Sequence, residues 1–573
     1  MKIKAIVTLL FLLIFTIALY AEWSSDPAIN TLVCGLPGED AIPKVVAGPT
    51  GDIYVGYFSN ESGNYNVRLQ RYDHAGNPQW AANGILISDH TSMSWLTDWD
   101  MTVDQDNYAI LTWQDIRNAN NNNIYAYRIS PEGTFVWGAD GLELSNSTDF
   151  DAAPKVAVTS AGNAIIAWTS DGVARIQKIS PGGTLLWGAT GIEISGMNSY
   201  TWPQPIGVEN DNVIVKYYED SGPAWAPTRY IYAQKYDANG TALWAPPCTI
   251  STSGGISAWT QDLPIIPDGN YGFFIGWHDD RDGNMNADVY VQHVDSNGAC
   301  IFTSQGVAAS TNLGNEHYYP FLAYFESTQM LYAYWNEMDA DQNYRGIYGQ
   351  KFDVAGTRKW EDAGKMIIPL ALTDIYPFGA GYTNTEVAVF YTEGLVDDYV
   401  KAIAMDGDGA FIWTGDIVTM CSVSSSKIHP EASKLTGSQW VLAWEDERSG
   451  RDIYAQNINT NGTLGYIPVA VEPEYQNNEF LFTSSPNPFT ASTKISYNNS
   501  ATDYHGLTQI KIFNIKGQLV KELGFRDSDL GFSAVWDGKD ESGREVGAGV
   551  YFFKVEIDRK ELVHKVVKIQ YAQ

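Results

Sequence analysis

A hairpin signature recurs eight times in the first 466 residues and constrains the fold more than any other feature of the chain. Its clearest copy is Lys235-Tyr236-Asp237-Ala238-Asn239-Gly240-Thr241-Ala242-Leu243-Trp244. In every copy Asp, Asn or Ser stands three residues before a glycine, and a large aromatic stands four residues after it. The glycines are Gly76, Gly133, Gly183, Gly240, Gly298, Gly356, Gly409 and Gly462, followed by Trp80, Trp137, Trp187, Trp244, Phe302, Trp360, Trp413 and Tyr466. The residues at minus three, such as Asp73, Ser130, Asp237 and Asn459, cap a type I turn, and the glycine supplies the positive φ of a bulged hairpin. The motif is a turn with an aromatic anchor on the returning strand.

Subtracting residue numbers places successive glycines 50 to 58 residues apart. Within the third copy, segments 154–158, 163–168, 173–179 and 184–195 alternate or run apolar, and Gly, Ser, Asp or Asn bounds each one. Four short antiparallel strands at that period predict a β-propeller of eight blades, or seven if the degenerate eighth copy does not count. The extended segment 28–34 is expected to complete the last blade beside 466–471, which hides a sheet edge. The predicted fold is therefore all-β, with the propeller over residues 22–471.

Residues 1–21 carry Lys2 and Lys4, an apolar run and then Tyr20-Ala21, the pattern of a secretory signal cleaved near Ala21. The apolar core is short for a membrane span, and no second spanning segment follows, so no transmembrane span is expected after cleavage. The chain has a formal net charge of −31, nearly all of it before residue 484. Such an acidic body excludes nucleic acid and anionic membrane surfaces as partners. The four cysteines, Cys34, Cys248, Cys300 and Cys421, sit in different repeats and form neither a metal knuckle nor a redox pair.

A propeller sorts its connections onto two faces. The tight turns, including the repeated hairpin, share one face; the loops from second to third strand and from blade to blade share the other, where the sequence varies. Two features fall on that variable face. The first is an acid two residues after an aromatic: Trp113-Gln114-Asp115, Trp277-His278-Asp279, Trp335-Asn336-Glu337 and Trp444-Glu445-Asp446, with Arg117, Arg281 and Arg448 two further on in three of them. On an extended segment such an acid and arginine point to the same side, which favours ion pairing in a scaffold role. Asp115, Asp279, Glu337 and Asp446 are also the candidate acids of an alternative reading, a carbohydrate-active hydrolase or lyase, because glycosidases need two carboxylates at a suitable separation. The second feature is an aromatic before the proline that opens a first strand: Trp202, Tyr318 with Tyr319, Tyr376 and His429. First strands line the central channel, so these rings are candidates for a ligand site that stacks on sugar faces, or else wedges between blades.

No cofactor is predicted. The loop bearing Asp282, Asn284, Asn286 and Asp288 offers oxygen atoms at alternate positions, which could hold Ca²⁺, without the other elements of a calcium loop. Gly-x-Ser-x-Gly and His-Glu-x-x-His are both absent from the sequence. The segment Asp406-Gly407-Asp408-Gly409-Ala410-Phe411-Ile412-Trp413 faintly resembles the Asp-box of sialidases, with a longer glycine-to-aromatic spacing. The Gly-x-x-x-Trp repeat also resembles the docking motif of eight-bladed quinoprotein dehydrogenases. Those enzymes use adjacent cysteines, which this chain lacks.

Residues 472–484 break the repeat and read as a linker. Six short strands are then expected between 494 and 569, an immunoglobulin-like sandwich over 485–573. Pro486-Asn487-Pro488, Ile512-Phe513-Asn514-Ile515-Lys516-Gly517, Trp536-Asp537-Gly538, Gly549-Val550-Tyr551 and the final strand with Lys565 and Lys568 resemble the type A C-terminal sorting domain of the type IX secretion system, with its FlgD-like immunoglobulin fold. The resemblance implies a Gram-negative protein that outer-membrane secretion machinery recognises through this domain and that is secreted or displayed on the outer cell surface. The reading of the whole chain is a secreted or surface propeller that binds or adheres to an extracellular glycan or protein ligand; a purely structural surface-layer component is a further alternative.

Overall fold

The computed structural model describes residues 22–467 except 92–98, 119–120 and 224, and residues 481–569 except 486, 488, 499–509, 515, 524–525, 529–530 and 558–559. The segment 1–21 that is expected to be a secretory signal, Pro486 and Pro488 lie outside the described residues. The chain divides into two compact units, Met1–Pro468 and Val469–Gln573.

The first unit is an eight-bladed propeller. Its eight sheets each contain four antiparallel strands, and seven take them in chain order, as in Asp40–Ala47, Ile53–Ser59, Asn66–Tyr72 and Ile85–Ser88 of blade 1. Blade 8 is composite. Lys427–Ala432, Gln439–Asp446 and Asp452–Asn459 come from the end of the propeller, and the N-terminal strand Thr31–Cys34 supplies its outermost strand. The expected closure by the N-terminal segment is therefore present: that strand pairs with Asp452–Asn459, and Tyr466 N–H donates to the Trp23 carbonyl at 3.3 Å, while residues 468–471 lie outside the described residues.

Most repeated hairpins meet the aromatic of the blade before them; Gly409 is the exception and faces the Lys365 side chain. A Cβ built on Gly298 would lie 2.7 Å from the Trp244 ring, one on Gly356 2.8 Å from Phe302, and one on Gly462 2.5 Å from Trp413. The indole N–H groups complete the joint. Nε1 of Trp80, Trp137, Trp187 and Trp413 donates to the carbonyl two residues before the next blade's glycine, on Pro131, Pro181, Ala238 and Thr460, at 2.8–3.2 Å. Tyr466, the eighth aromatic by sequence spacing, does not take this role. At the closing junction Trp23 does, packing on Gly76 and donating to the His74 carbonyl at 3.2 Å. The correction follows from topology: the N-terminal strand Thr31–Cys34 supplies the outer edge of blade 8, and the joint comes with it.

The apolar core follows the same logic. The buried residues of the propeller form eight clusters, each drawn from two adjacent blades. Val213, Val215 and Tyr236 of blade 4, for example, pack on Ile165, Ala167 and Trp187 of blade 3. Stability thus resides in seams rather than in one central core.

The second unit pairs two four-stranded antiparallel sheets around a core that includes Phe489, Ile495, Ile512, Trp536, Tyr551, Phe553 and Val566. Its first strand, Leu481–Ser485, falls where the sequence reads as the end of a linker.

The glycine joint makes a quantitative prediction. Gly298 has φ +83 and no room for a Cβ, whereas Gly188 has φ +81 and open space around it. Gly298→Ala should cost about 2–4 kcal/mol, combining left-handed strain with overpacking, and Gly188→Ala only about 1 kcal/mol of strain. Chemical denaturation of the two variants checks the difference.

Candidate ligand-binding site on the variable face

The first strands of five blades contain a residue in the left-handed region directly before proline: Ile42, Ala153, Trp202, Tyr319 and His429, with φ between 46 and 53. Each sits within a register shift against its second strand, such as that between Thr201 and Gln204. Such a conformation is strained for a side-chain-bearing residue and needs outside support. In three blades the preceding blade gives it: Glu445 Oε1 accepts from the Ile42 N–H at 2.7 Å, Gln114 Oε1 from Ala153 at 3.0 Å, and Thr169 Oγ1 from Trp202 at 2.9 Å. Glu445 and Gln114 are the middle residues of the aromatic-x-acid segments.

These bulges border two cavities. One, of about 790 Å³, collects Ile42, Ala153, Trp202 and His429 with Phe150, Asp220 and Arg229. Because its lining comes from blades 1, 3, 4 and 8, it lies around the propeller axis. The other, of about 780 Å³, holds Tyr318, Tyr319, Trp259, His278 and Phe321, and Gln261 lines both. Arg229 fixes the segment between them. It forks onto Asp220 at 2.7 and 2.8 Å and donates to the carbonyls of Ser257 and Thr260 at 3.2 and 2.8 Å. Burial pushes the His278 imidazole down to about 4, so it is neutral at physiological pH. Along the first strands, just past the prolines, Lys44 pairs with Glu431, and Lys155 reaches from blade 3 to Asp262 at 2.6 Å.

Of the aromatics singled out by sequence, Trp202 and His429 share one cavity and Tyr318 and Tyr319 the other. Tyr376 lines neither; the Arg345 guanidinium stacks on its ring at 4.7 Å. Phe150, Trp259 and Gln261 were not singled out, because they lie in connections that do not repeat, and Arg229, on the strand Thr228–Tyr236, has no counterpart in the repeated motifs.

The candidate acids sit elsewhere. Asp115, Asp279, Glu337 and Asp446 are buried and line neither cavity. Arg117 forks onto Asp115, Arg281 and the Trp277 indole hold Asp279, and Arg448 and the Trp444 indole hold Asp446. Burial would raise the Asp446 carboxyl, but the bonds from Arg448, Ser425 and Trp444 outweigh it and hold it well below the usual range. Glu337 accepts from Trp335 Nε1 and Asn315 Nδ2, both at 2.7 Å. In the loop weighed for Ca²⁺, Asp282 and Asn284 accept backbone N–H groups of their own turn. Asp288 turns inward to His317 at 2.8 Å. Among the described residues no group of three or more His, Cys, Asp or Glu is placed to hold a metal.

In the second unit the sorting-motif residues brace the sandwich. Asn487 ties the final strand, donating to the Lys565 carbonyl at 3.1 Å and accepting from Val567 at 2.9 Å. Buried Trp536 donates to Lys539 at 2.9 Å and meets Tyr551 edge-on, and Tyr551 donates to Gly547 at 2.7 Å. Asp537 pairs with Lys521, and Gly517 and Gly538 adopt positive φ in turns. Lys568 is buried, donating to the carbonyls of Gly538 and Val546 and to Glu545. Gly549 opens the strand Gly549–Ile557, and Lys565 is exposed.

Residues 485–570 match the family described as the secretion system C-terminal sorting domain. That match, on the type IX route, indicates export to the cell surface or secretion. Among the described residues no helix is long and apolar enough to cross a membrane. No curated protein matches the chain. Among solved structures it is similar to the Dos1 propeller, at 11% identity over 75% of this chain and 94% of that one with a TM-score of 0.39. It is also similar to the β-propeller domain of the Trilobed protease from Pyrococcus furiosus, at 8% identity over 65% and 98% with a TM-score of 0.35. The fold and the tail together define an exported β-propeller protein with a C-terminal sorting domain.

One ion cluster gives this propeller a pH signature. His317 is buried between Asp288 and Glu337, the latter 3.2 Å from its Nε2. Burial alone would lower its pKa, but the two carboxylates raise it from 6.5 to about 9. A raised folded-state value means stability fully present below pH 6.5 and lost as pH rises through 9, about 3 kcal/mol in all. Denaturation midpoints of the wild type should fall across that window, and His317→Gln should remove that part of the fall.

Proposed function

We propose that the protein is an exported binding protein that captures a neutral extracellular polysaccharide on the variable face of its propeller. The observation that carries this reading is the placement of Trp202, Tyr319 and His429 on left-handed bulges at the rims of two cavities that share Gln261. Aromatic faces stack on the C–H faces of sugar rings, while the polar groups between them meet hydroxyls. Asp220, Gln261 and Arg229 supply such groups in the axial cavity. The net charge of −31 disfavours a polyanionic chain and suits a neutral one. Binding is preferred over hydrolysis because the four carboxylates that the hydrolase reading needs are committed to indole, amide and guanidinium partners away from the cavities.

Calorimetric titration of the mature protein with a panel of neutral oligosaccharides tests this. At least one should bind, and Trp202→Ala and Tyr319→Ala should each weaken it about tenfold or more, roughly 1.4 kcal/mol, with thermal stability unchanged in Tyr319→Ala, whose ring is exposed. A panel with no binder, or binding indifferent to both substitutions, would overturn the reading.

A further inference from the structure

Three blades contain the same half-buried arginine. In blade 2, Arg117 forks onto Asp115, lies 3.6 Å over the Tyr125 ring and donates through Nη1 to the Asp140 carbonyl at 2.9 Å. In blade 5, Arg281 grips Asp279 at 2.8 and 2.7 Å, covers Tyr290 at 3.3 Å and donates to the Gln305 carbonyl at 3.1 Å. In blade 8, Arg448 holds Asp446, covers Tyr454 at 4.0 Å and donates to Asn30 Oδ1 at 3.0 Å. In each case the arginine comes from the loop between second and third strands. Asp140 and Gln305 both directly precede a positive-φ glycine, Gly141 and Gly306.

Blade 3 has the walls of this site and no loop arginine. Its second and third strands are joined by Asp171-Gly172 alone, both at positive φ, with Ser170 directly opposite Val173. A two-residue hairpin leaves no position for the arginine. The acid comes instead from the first strand, where Asp151 lies in register with Ser170 and accepts from Trp168 Nε1 at 3.2 Å. Thr190 precedes Gly191, as Asp140 precedes Gly141. Asp151, Trp168 and Thr190 line a cavity of about 340 Å³, together with Glu143, Ser145 and Arg175. Arg175 occupies the register position of Tyr125 and Tyr290 and pairs with Glu193 at 2.5 Å. Asp151 is fully buried among neutral donors, the Trp168 indole and the Ser145 and Ser170 hydroxyls, and it forms no ion pair with the Arg175 that shares the cavity.

We propose that this cavity in blade 3 receives a guanidinium group from outside the chain, the arginine side chain of a peptide ligand, which takes the place that Arg117, Arg281 and Arg448 fill in their own blades. A buried carboxylate held only by neutral donors is costly to ionise until a cation meets it. A planar guanidinium meets it through two parallel bonds, and a lysine ammonium does not. The burial that raises the Asp151 carboxyl is the cost that the incoming cation offsets.

The probes are the blocked tripeptide acetyl-Gly-Arg-Gly-amide and its lysine twin, titrated against the mature protein, with free guanidinium as a third arm. The arginine peptide should bind at least tenfold tighter than the lysine peptide, and Asp151→Asn should abolish that preference. Thr190→Trp, at an exposed wall residue, should block entry while leaving Asp151 untouched, which covers the case in which Asp151→Asn fails to fold. Free guanidinium matching the peptide would make the cavity a site for the small cation and overturn the peptide ligand. Equal binding of the two peptides, no binding by either, or a preference that survives Thr190→Trp would overturn the site.

Discussion

A glycine without a Cβ, seated against an aromatic ring of the preceding blade, is the contact on which this propeller depends. Four short strands cannot bury both faces of their sheet alone, so each blade is stable only against its neighbours. The joint sets the distance between blades on one face, and the eight apolar seams fill in behind it. Its chemistry tolerates variation in the ring: Phe302 serves where Gly356 follows, without an indole donor. At Gly298, Gly356 and Gly462 it leaves no room for a side chain on the glycine. Ring closure obeys the same rule through Trp23 and the strand Thr31–Cys34, so this segment holds the last blade to the first.

The opposite face is freed by that division of labour. Its loops are unconstrained by the joint and differ from blade to blade. Their bases are nevertheless rigid, because buried acids hold indoles and arginines there, and the residue between aromatic and acid supports the next blade's bulge in blades 1 and 3. A stiff ring of bulges therefore presents aromatic side chains beside connections that differ from blade to blade. Strain at the residue before proline is the local cost of aiming Trp202, Tyr319 and His429 at the cavities.

How much of this was legible in the sequence depended on the range of the interaction. The turn signature is local, so eight copies counted correctly as eight blades. The joint is long-range, and spacing alone pointed to Tyr466 where Trp23 acts. The aromatic-x-acid segments were legible as a repeated ion-paired element, but the depth at which Asp115, Asp279, Glu337 and Asp446 lie was not. Only the fold carries that. Trp202 and Tyr319 could be picked out because proline marks the bulge, whereas Phe150, Trp259 and Gln261 stand in loops with no periodicity to mark them. All six strands expected in the second unit are present. Leu481–Ser485 was missed because its Thr-Ser-Ser end reads as polar linker, although it pairs along its length with Thr493–Asn498.

The central claim is that function lies on the face that the glycine joint leaves free. Hydrogen exchange of the mature protein, with and without a bound oligosaccharide, tests it directly. The account predicts protection in the variable-face segments around Phe150, Asp171, Trp202, Asp220 and Gln261, all of which line the axial cavity, and none at the repeated hairpins. Protection centred on the hairpins around Gly76, Gly240 or Gly298 would contradict it.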